Sequence, residues 1–227
     1  GGTNEKADKT VFNPKWGIDT SKYLIAFKYP SKQVIKEATA LYIDQFRKAS
    51  HIVFVLDYSG SMYGSGNQEL VSAMNYILTY DEASKDYIQF SAKDTITVIP
   101  FSSDVLAIWR TENGKNTQSL IDYITYKNPN GGTDIYKASA RAIEILEADN
   151  RDVTKSVVLM TDGQSQGSIQ SLQVAYSRYH SSIPIYSITF GDADETQLRD
   201  IASLSNAKVF DGKTDLLKAF KEVRSFN

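Results

Sequence analysis

With 227 residues, 41% of them hydrophobic, the chain is long enough to bury a substantial core, and the length favours one large domain over two small ones. The formal net charge of -2 gives no electrostatic reason to expect a nucleic-acid partner, and the apolar runs are far shorter than the ~20 residues that insert across a membrane. The absence of cysteine excludes disulfides, thiolate metal ligands and a cysteine nucleophile.

The first 32 residues differ from the rest of the chain. They contain aromatic residues without a clear period, and Pro14 and Pro30 interrupt them. Because so short a segment cannot bury a core of its own, residues 1–32 are predicted to be an N-terminal extension or a seam to an upstream domain. Residues 33–227 are predicted to form a single domain, beginning with a helix over 33–48.

From residue 50 onward, short β-branched runs alternate with amphipathic segments, which is the pattern of a mostly parallel sheet with crossover helices. Two of the runs, 94–101 and 105–110, are separated by three residues only, which predicts a hairpin and one antiparallel edge strand. Six strands are predicted, at 51–57, 94–101, 105–110, 155–162, 183–191 and 207–211.

Helical spacing of apolar residues predicts the crossover helices. Ser65 with Gln68 is expected to form a capping box, and Thr133 or Asp134 is expected to cap a later helix. The predicted helices cover 67–80, 134–148, 168–180, 194–204 and 214–225, whereas the charge run at 81–86 is predicted to be a solvated turn. The fold class is therefore α/β, a doubly wound, mostly parallel six-stranded sheet with helices on both faces.

Oxygen-bearing side chains stand at three predicted loops of this sheet. Asp57 ends the first strand, and Ser59 and Ser61 follow it in the next loop. Asp162 ends the predicted strand 155–162. Thr133 lies in a glycine-containing loop before a predicted helix. In open parallel α/β sheets, ligands bind outside the carboxyl ends of the strands. These five side chains are therefore predicted to converge on one point.

Hydroxyls and carboxylates without nitrogen or sulfur suit a hard divalent cation. A loop that leaves its strand in extended form points residues 57, 59 and 61 to the same side. With two carboxylates and several neutral oxygens the set suits Mg²⁺, with Mn²⁺ or Ca²⁺ as alternatives. If the carboxylates bind through water, the metal stays electrophilic and accepts an Asp or Glu carboxylate from a partner protein.

The motifs "DYSGS", "GGTD" and "TDG", in that order, resemble the metal-ion-dependent adhesion site (MIDAS) of von Willebrand factor type A domains. The resemblance covers about residues 50–225. It implies that Ser59, Ser61 and Thr133 lie nearest the metal, that Asp57 and Asp162 bind it directly or through water, and that an acidic group of a protein ligand takes the last position. It also implies a function in adhesion or interaction and no enzymatic activity.

A second resemblance concerns "NPKWGIDTSKYLIAFKYPSKQVIKE", "FRKASHIVFVLDYSGSM" and "KVFDGKTDLLKAFKEVRSFN". Together they are similar to bacterial exported proteins in which a type A domain follows a solute-binding-like domain. This resemblance implies an extracellular or cell-surface location in a bacterium.

Other chemistries compete with the metal site as interpretations of these motifs. A serine hydrolase requires a base, but His51 and His180 are predicted to lie at the opposite edge of the sheet as surface or boundary residues. The loop "GSMYGSGNQ" has no lysine for phosphates. A magnesium-dependent phosphohydrolase using Asp57, with Asp134 as a second carboxylate or only as a helix cap, remains an alternative. So does a scaffold whose metal only stiffens the loops.

Three tyrosines flank the motifs and have two interpretations. Tyr58, Tyr63 and Tyr136 either frame the mouth of the site, where aromatic side chains often anchor a partner, or pack beneath the loops. The sequence leaves both open.

Overall fold

The computed structural model describes residues 29–162, 164–190, 195–212, 218 and 220–223. The chain divides into two compact units between Thr39 and Ala40. Helix α1 (Lys32–Leu41) and a following π-helical turn (Tyr42–Phe46) confirm the helix expected near residues 33–48. The expectation for the N-terminal extension lies, up to residue 28, outside the described residues.

A six-stranded mixed sheet forms the centre of the second unit. Its strand order is β3-β2-β1-β4-β5-β6, with β3 antiparallel to β2 and all other neighbours parallel. This confirms the predicted sheet with one antiparallel edge strand. The strands are β1 (Ser50–Asp57), β2 (Thr95–Phe101), β3 (Trp109–Thr111), β4 (Thr154–Thr161), β5 (Ile185–Thr189) and β6 (Val209–Asp211).

The edge strand β3 is shorter than the apolar run 105–110 suggested. Leu106 N donates to Pro100 O at 2.9 Å in the tight return from β2, and Val105 forms only an isolated bridge with Phe101. Regular pairing therefore begins at Trp109, which stacks on Tyr123 at 5.0 Å between ring centroids.

The helices agree with the prediction in the longer segments and differ in two short ones. They are α2 (Ser65–Leu78), α3 (Tyr80–Lys85), α4 (Gln118–Tyr126), α5 (Ile135–Glu147), α6 (Gln170–Tyr179) and α7 (Glu195–Ser205). The expected turn at 81–86 is wrong because most of it is helix α3, whose Ala83 and Ser84 are buried. Helix α4 was not predicted, since only Leu120 and Ile124 mark its buried face. Of the predicted helix 214–225, only 218 and 220–223 are described, and these residues are helical.

The capping predictions had opposite outcomes. The capping box of Ser65 with Gln68 is wrong: α2 already contains Ser65, and Gly64 takes the N-cap position with φ 94° and no side-chain hydrogen bond. A positive φ of this size favours glycine, which the sequence supplies here. Asp134 is the N-cap of α5, because its Oδ1 accepts a hydrogen bond from Lys137 N at 3.0 Å.

Two apolar layers cover the sheet, one on each face, as the alternation along β1 requires. Ile52, Phe54 and Leu56 pack in the layer that contains α2 and α4, whereas Val53 and Val55 pack in the layer that contains α5, α6 and α7. The doubly wound arrangement is thereby confirmed. Among the described helices, none combines the length and the hydropathy needed to span a membrane.

Candidate metal centre

The strand order reverses where Asp57 and Asp162 lie. From β1 the chain builds β2 and β3 on one side and then returns to place β4 on the other side of β1. Asp57 is the last residue of β1 and Asp162 directly follows β4, so both stand at the carboxyl edge of neighbouring parallel strands. Loops diverge at such a switch point and leave a crevice, which is where ligands bind in doubly wound sheets.

The Asp57 carboxylate is fully buried and held by two donors. Its Oδ1 accepts a hydrogen bond from Ser59 N at 2.8 Å, and its Oδ2 accepts one from Thr161 Oγ1 at 2.5 Å. Because one donor comes from the loop after β1 and the other from the end of β4, the orientation of this carboxylate is fixed by both strands.

A chain of side-chain hydrogen bonds continues from this loop to β4. Ser59 Oγ and Ser61 Oγ are 3.0 Å apart, and Ser61 Oγ donates to Asp162 Oδ1 at 2.9 Å. The hydrogen bonds bring residues 57, 59 and 61 together as predicted, but the loop is not extended throughout: Ser59 is extended, whereas Gly60–Met62 form a 3-10 turn that contains Ser61. Ser59 is buried, Asp162 is half-buried and Ser61 is exposed, so the chain of oxygens leads from the protein interior to solvent.

Thr133 reaches the same edge on the neighbouring loop. Gly60 N donates to Gly131 O at 2.9 Å, and Asn130 N donates to Tyr58 O at 2.7 Å, so the loop before α5 is joined to the loop after β1. Thr133 itself is 7% exposed. The structure thus links Asp57, Ser59, Ser61 and Asp162 through hydrogen bonds and brings Thr133 to the same edge on an attached loop.

The carboxylates of Asp57 and Asp162 repel each other, and among the described residues neither forms an ion pair with a protein cation. Burial, reinforced by the charge of Asp162, raises the pKa of Asp57 to about 6, despite the hydrogen bonds from Thr161 and Ser59, which lower it. Burial likewise raises the pKa of Asp162. None of the ion pairs between described residues involves Asp57 or Asp162. A bound dication would compensate both buried negative charges.

The donor set fits a hard divalent cation. Within the described part of the chain, no group of three or more His, Cys, Asp or Glu side chains is placed to hold a metal. The centre instead offers two carboxylates and neutral hydroxyls, the oxygen ligands that Mg²⁺, Mn²⁺ and Ca²⁺ accept. The side chains available to hold the ion are Asp57, Ser59, Ser61, Thr133 and Asp162.

The three flanking tyrosines have different roles. Tyr58 is fully buried and its hydroxyl donates to Ile124 O at 2.7 Å, and Tyr136 is 3% exposed. Tyr63 is 82% exposed on the loop that follows Ser61. Tyr58 and Tyr136 therefore pack in the two apolar layers and cannot frame the site, and of the three only Tyr63 is available to a partner.

Both histidines lie away from the serines, as expected. His51 is the second residue of β1, roughly 20 Å along the strand from Asp57, since a strand rises about 3.3 Å per residue. The expectation that it is a surface or boundary residue is wrong: it is fully buried, with Nδ1 2.7 Å from Asp149 and Nε2 2.9 Å from Thr97. His180 is exposed and ends α6 in the left-handed conformation. Neither can act as a base for Ser59.

Thr161 is a residue of the centre that the sequence interpretation missed. It is the last residue of β4, is fully buried, and holds Asp57 through its hydroxyl. A signal was present, because a hydroxyl ends an otherwise apolar run directly before Asp162. The signal was not sufficient, however, because the residue that Thr161 contacts depends on the order of strands in the sheet.

Comparison with known proteins gives a family match over most of the chain. The sequence model of the von Willebrand factor type A domain family matches residues 51–224. Human inter-alpha-trypsin inhibitor heavy chain H6 is 28% identical over 174 residues, which cover 69% of this chain and 12% of that protein. Human collagen alpha-5(VI) chain is 22% identical over 173 residues, covering 74% of this chain and 6% of that protein. The chain thus spans a small part of the length of these relatives.

Solved structures share the fold at low sequence identity. A von Willebrand factor type A structure from Catenulispora acidiphila superposes with a TM-score of 0.61 at 19% identity, covering 78% of this chain and 42% of that chain. Proximal thread matrix protein 1 from the mussel byssus, described with a zinc-occupied MIDAS motif, superposes with a TM-score of 0.57 at 17% identity, covering 80% of this chain and 47% of that chain.

Proposed function

The chain belongs to the von Willebrand factor type A domain family, and from that premise we propose that it is a divalent-metal-dependent protein-binding domain without enzymatic activity. In this proposal Asp57, Ser59, Ser61, Thr133 and Asp162 hold the metal, with Mg²⁺ as the first candidate. An Asp or Glu side chain of a partner protein completes the coordination. Interaction and adhesion are the general functions of this family.

The observation that carries the proposal is the hydrogen-bonded series Asp57, Ser59, Ser61 and Asp162 at the switch point of the sheet. Burial and the charge of Asp162 disfavour the ionised form of Asp57, and a cation shared by the two carboxylates would offset this cost. The serine hydroxyls between them add ligands without charge. The two carboxylates therefore neutralise a bound dication without placing excess negative charge around it. The bound dication can then attract one further anionic ligand.

Each side chain has a separate role in this mechanism. Asp57 and Asp162 supply the negative charge, and Thr161 and the Ser59 amide keep the Asp57 carboxylate in a fixed orientation. The hydroxyls of Ser59, Ser61 and Thr133 supply neutral oxygens. The bound ion supplies a Lewis-acidic position that an external carboxylate can occupy. In this proposal Tyr63, which is exposed two residues after Ser61, contacts the partner surface around that carboxylate.

The proposal includes a location outside the cell, at a bacterial cell surface. It is supported by the resemblance of the N-terminal and C-terminal segments to bacterial exported proteins with a type A domain. Fractionation of the producing cells, with antibody detection of the intact protein, tests it. Recovery in the soluble cytoplasmic fraction alone would contradict this part of the proposal.

Calorimetric titration tests the metal site directly. Chelator-treated protein is titrated with Mg²⁺, Mn²⁺ and Ca²⁺, with and without saturating acetate as a stand-in for the partner carboxylate. We expect one saturable site that Ser59→Ala loses and Ser177→Ala, on the exposed face of α6, retains. A folded wild-type protein that binds none of the three ions, even in acetate, would overturn the proposal.

The same preparations separate the two alternatives. Hydrolysis of a generic phosphate ester that disappears in Asp57→Asn would establish the phosphohydrolase instead. The structure shows that Asp134, its candidate second carboxylate, caps α5. Binding of a protein ligand that survives chelation would instead show that the metal only stiffens the loops.

A further inference from the structure

The backbone of Thr133 is held by the loop that follows Asp162. Thr133 O accepts a hydrogen bond from Gln166 N at 2.8 Å, and Ser165 Oγ lies 3.4 Å from the same oxygen. The position of Thr133 at the metal centre therefore depends on where residues 164–167 lie. No side chain of this loop is among the predicted ligands, so its contribution is indirect.

Ser165 connects this loop to the start of α5. Its buried hydroxyl accepts hydrogen bonds from Ile135 N at 3.2 Å and from Gly167 N at 3.1 Å. Gly167 also packs directly on the Asp134 carboxylate, with no room for a side chain between them. The loop is thus fitted against the two residues, Thr133 and Asp134, that lead into the helix.

Gln197 fixes Ser165 from a third element. Its side-chain amide pairs with both backbone groups of Ser165: Ser165 N donates to Gln197 Oε1 at 2.7 Å, and Gln197 Nε2 donates to Ser165 O at 3.1 Å. Gln197 lies in the first turn of α7 and is half-buried. A primary amide is the side-chain group that can satisfy one backbone donor and one backbone acceptor of the same residue.

We propose that Gln197 is a positioning residue of the metal centre, which sets its affinity for the ion by holding Ser165 and, through the loop, Thr133. The inference rests on the proposed function, since it concerns the same site. In this inference α7, a helix that supplies no metal ligand, is one of the elements that determine metal binding. Groups that orient ligands from outside the coordination sphere typically change metal affinity about 10–100-fold when they are removed.

Two variants remove the contact in different ways. Gln197→Met keeps the length of the side chain and loses both hydrogen bonds. Gln197→Glu keeps an oxygen for Ser165 N but places a second oxygen against Ser165 O. Arg199→Gln is the matched control, because Arg199 lies on the same helix with its side chain 72% exposed and paired only with Glu195 among the described ion pairs.

The experiment measures each variant in two ways. The γ-methyl resonance of Thr133 in metal-free protein, assigned with Thr133→Ser, reports the position of this residue without any bound ion. Calorimetric titration with Mn²⁺ in saturating acetate reports the affinity of the site. We expect both Gln197 variants to shift the Thr133 resonance and to weaken Mn²⁺ binding about 10-fold. Arg199→Gln should change neither quantity.

The outcomes distinguish this inference from the proposed function. If wild-type protein binds Mn²⁺ and the folded Gln197 variants bind it equally well with an unshifted Thr133 resonance, the positioning role is wrong and the proposed function stands. If only the free energy of unfolding falls, Gln197 is merely structural and the inference is also wrong. If wild-type protein itself binds no ion, the proposed function fails and the inference fails with it. Should Gln197→Met not fold, Gln197→Glu gives the same decision.

Discussion

Ser61 donates a hydrogen bond to Asp162, 2.9 Å from Oγ to Oδ1, and so joins two loops that are 101 residues apart in sequence. The bond exists because β1 and β4 are parallel neighbours, so that the loops leaving them meet at one edge. It places a neutral oxygen beside the carboxylate of Asp162, whose charge acts on Asp57. The relationship brings residues from separate motifs together at one candidate site.

Replacing Asp162 by Asn should abolish the stabilisation that a divalent ion gives to the wild-type protein. An ion at about 100 times its dissociation constant stabilises the folded state by ~2.7 kcal/mol, which corresponds to roughly 5–10 °C in a domain of this size. Differential scanning calorimetry with and without Mg²⁺ measures the shift. Without metal, Asp162→Asn should be at least as stable as wild type, because it removes a negative charge that disfavours the ionised form of Asp57. A melting temperature that still rises with Mg²⁺ would place the ion elsewhere.

His51 should make a contribution to the free energy of unfolding that is lost as the pH drops from about 6.5 to about 4. Burial lowers its pKa to about 4, aided by the charges of Arg110 and Arg151 and opposed by Asp149. Within this window the unfolded state binds a proton that the folded state does not, so acid favours unfolding. The contribution is about 3 kcal/mol.

Urea unfolding at a series of pH values checks this prediction. His51→Asn keeps an amide donor for Asp149 and removes the titration, so its stability should rise relative to that of wild type as the pH drops from about 6.5 to about 4. Other titrating groups, including Asp57, are present in both proteins and cancel in the comparison. His180→Asn is the control, since Asn accepts the left-handed conformation at that position. Parallel curves for wild type and His51→Asn would contradict the assignment.

Gly167→Ala should destabilise the domain by displacing the cap of α5. A β-carbon at this position would overlap the Asp134 carboxylate, which accepts the hydrogen bond from Lys137 N. Loss of a cap costs about 1 kcal/mol, and overpacking adds about 1–3 kcal/mol. Chemical denaturation measures the change. In an Asp134→Ala background the clash is absent, so the additional cost of Gly167→Ala should largely disappear; strictly additive costs would show that the two residues do not interact.

Tyr58→Phe should lower the free energy of unfolding by about 1–3 kcal/mol, because it leaves the buried carbonyl of Ile124 without its donor. Tyr63→Phe removes the same hydroxyl from a side chain that is 82% exposed and should be neutral. Equilibrium unfolding of the two variants in parallel measures both. Equal free energies of unfolding for the two variants would mean that the buried hydrogen bond of Tyr58 makes no net contribution to stability.

Local sequence patterns were enough to predict much of the fold. Strands such as β1 and β4 are buried on both faces and therefore appear as continuous apolar runs, and α5 has a wide apolar face with Asp134 as its cap. Short elements were harder. Helix α4 carries only Leu120 and Ile124 as buried markers, and an element of this length gains its stability from packing and not from its own propensity.

The sequence by itself determined the class of fold and the oxygen-rich segments that surround the metal centre, because apolar period and residue chemistry are local properties. It also excluded a cysteine-based site, since no cysteine is present. Only the tertiary structure decided that Thr161 holds Asp57, that His51 is buried against Asp149, and that Gln197 pairs with Ser165. These contacts join residues from different strands, helices and loops. They are set by strand order and helix packing, which no single stretch of sequence encodes.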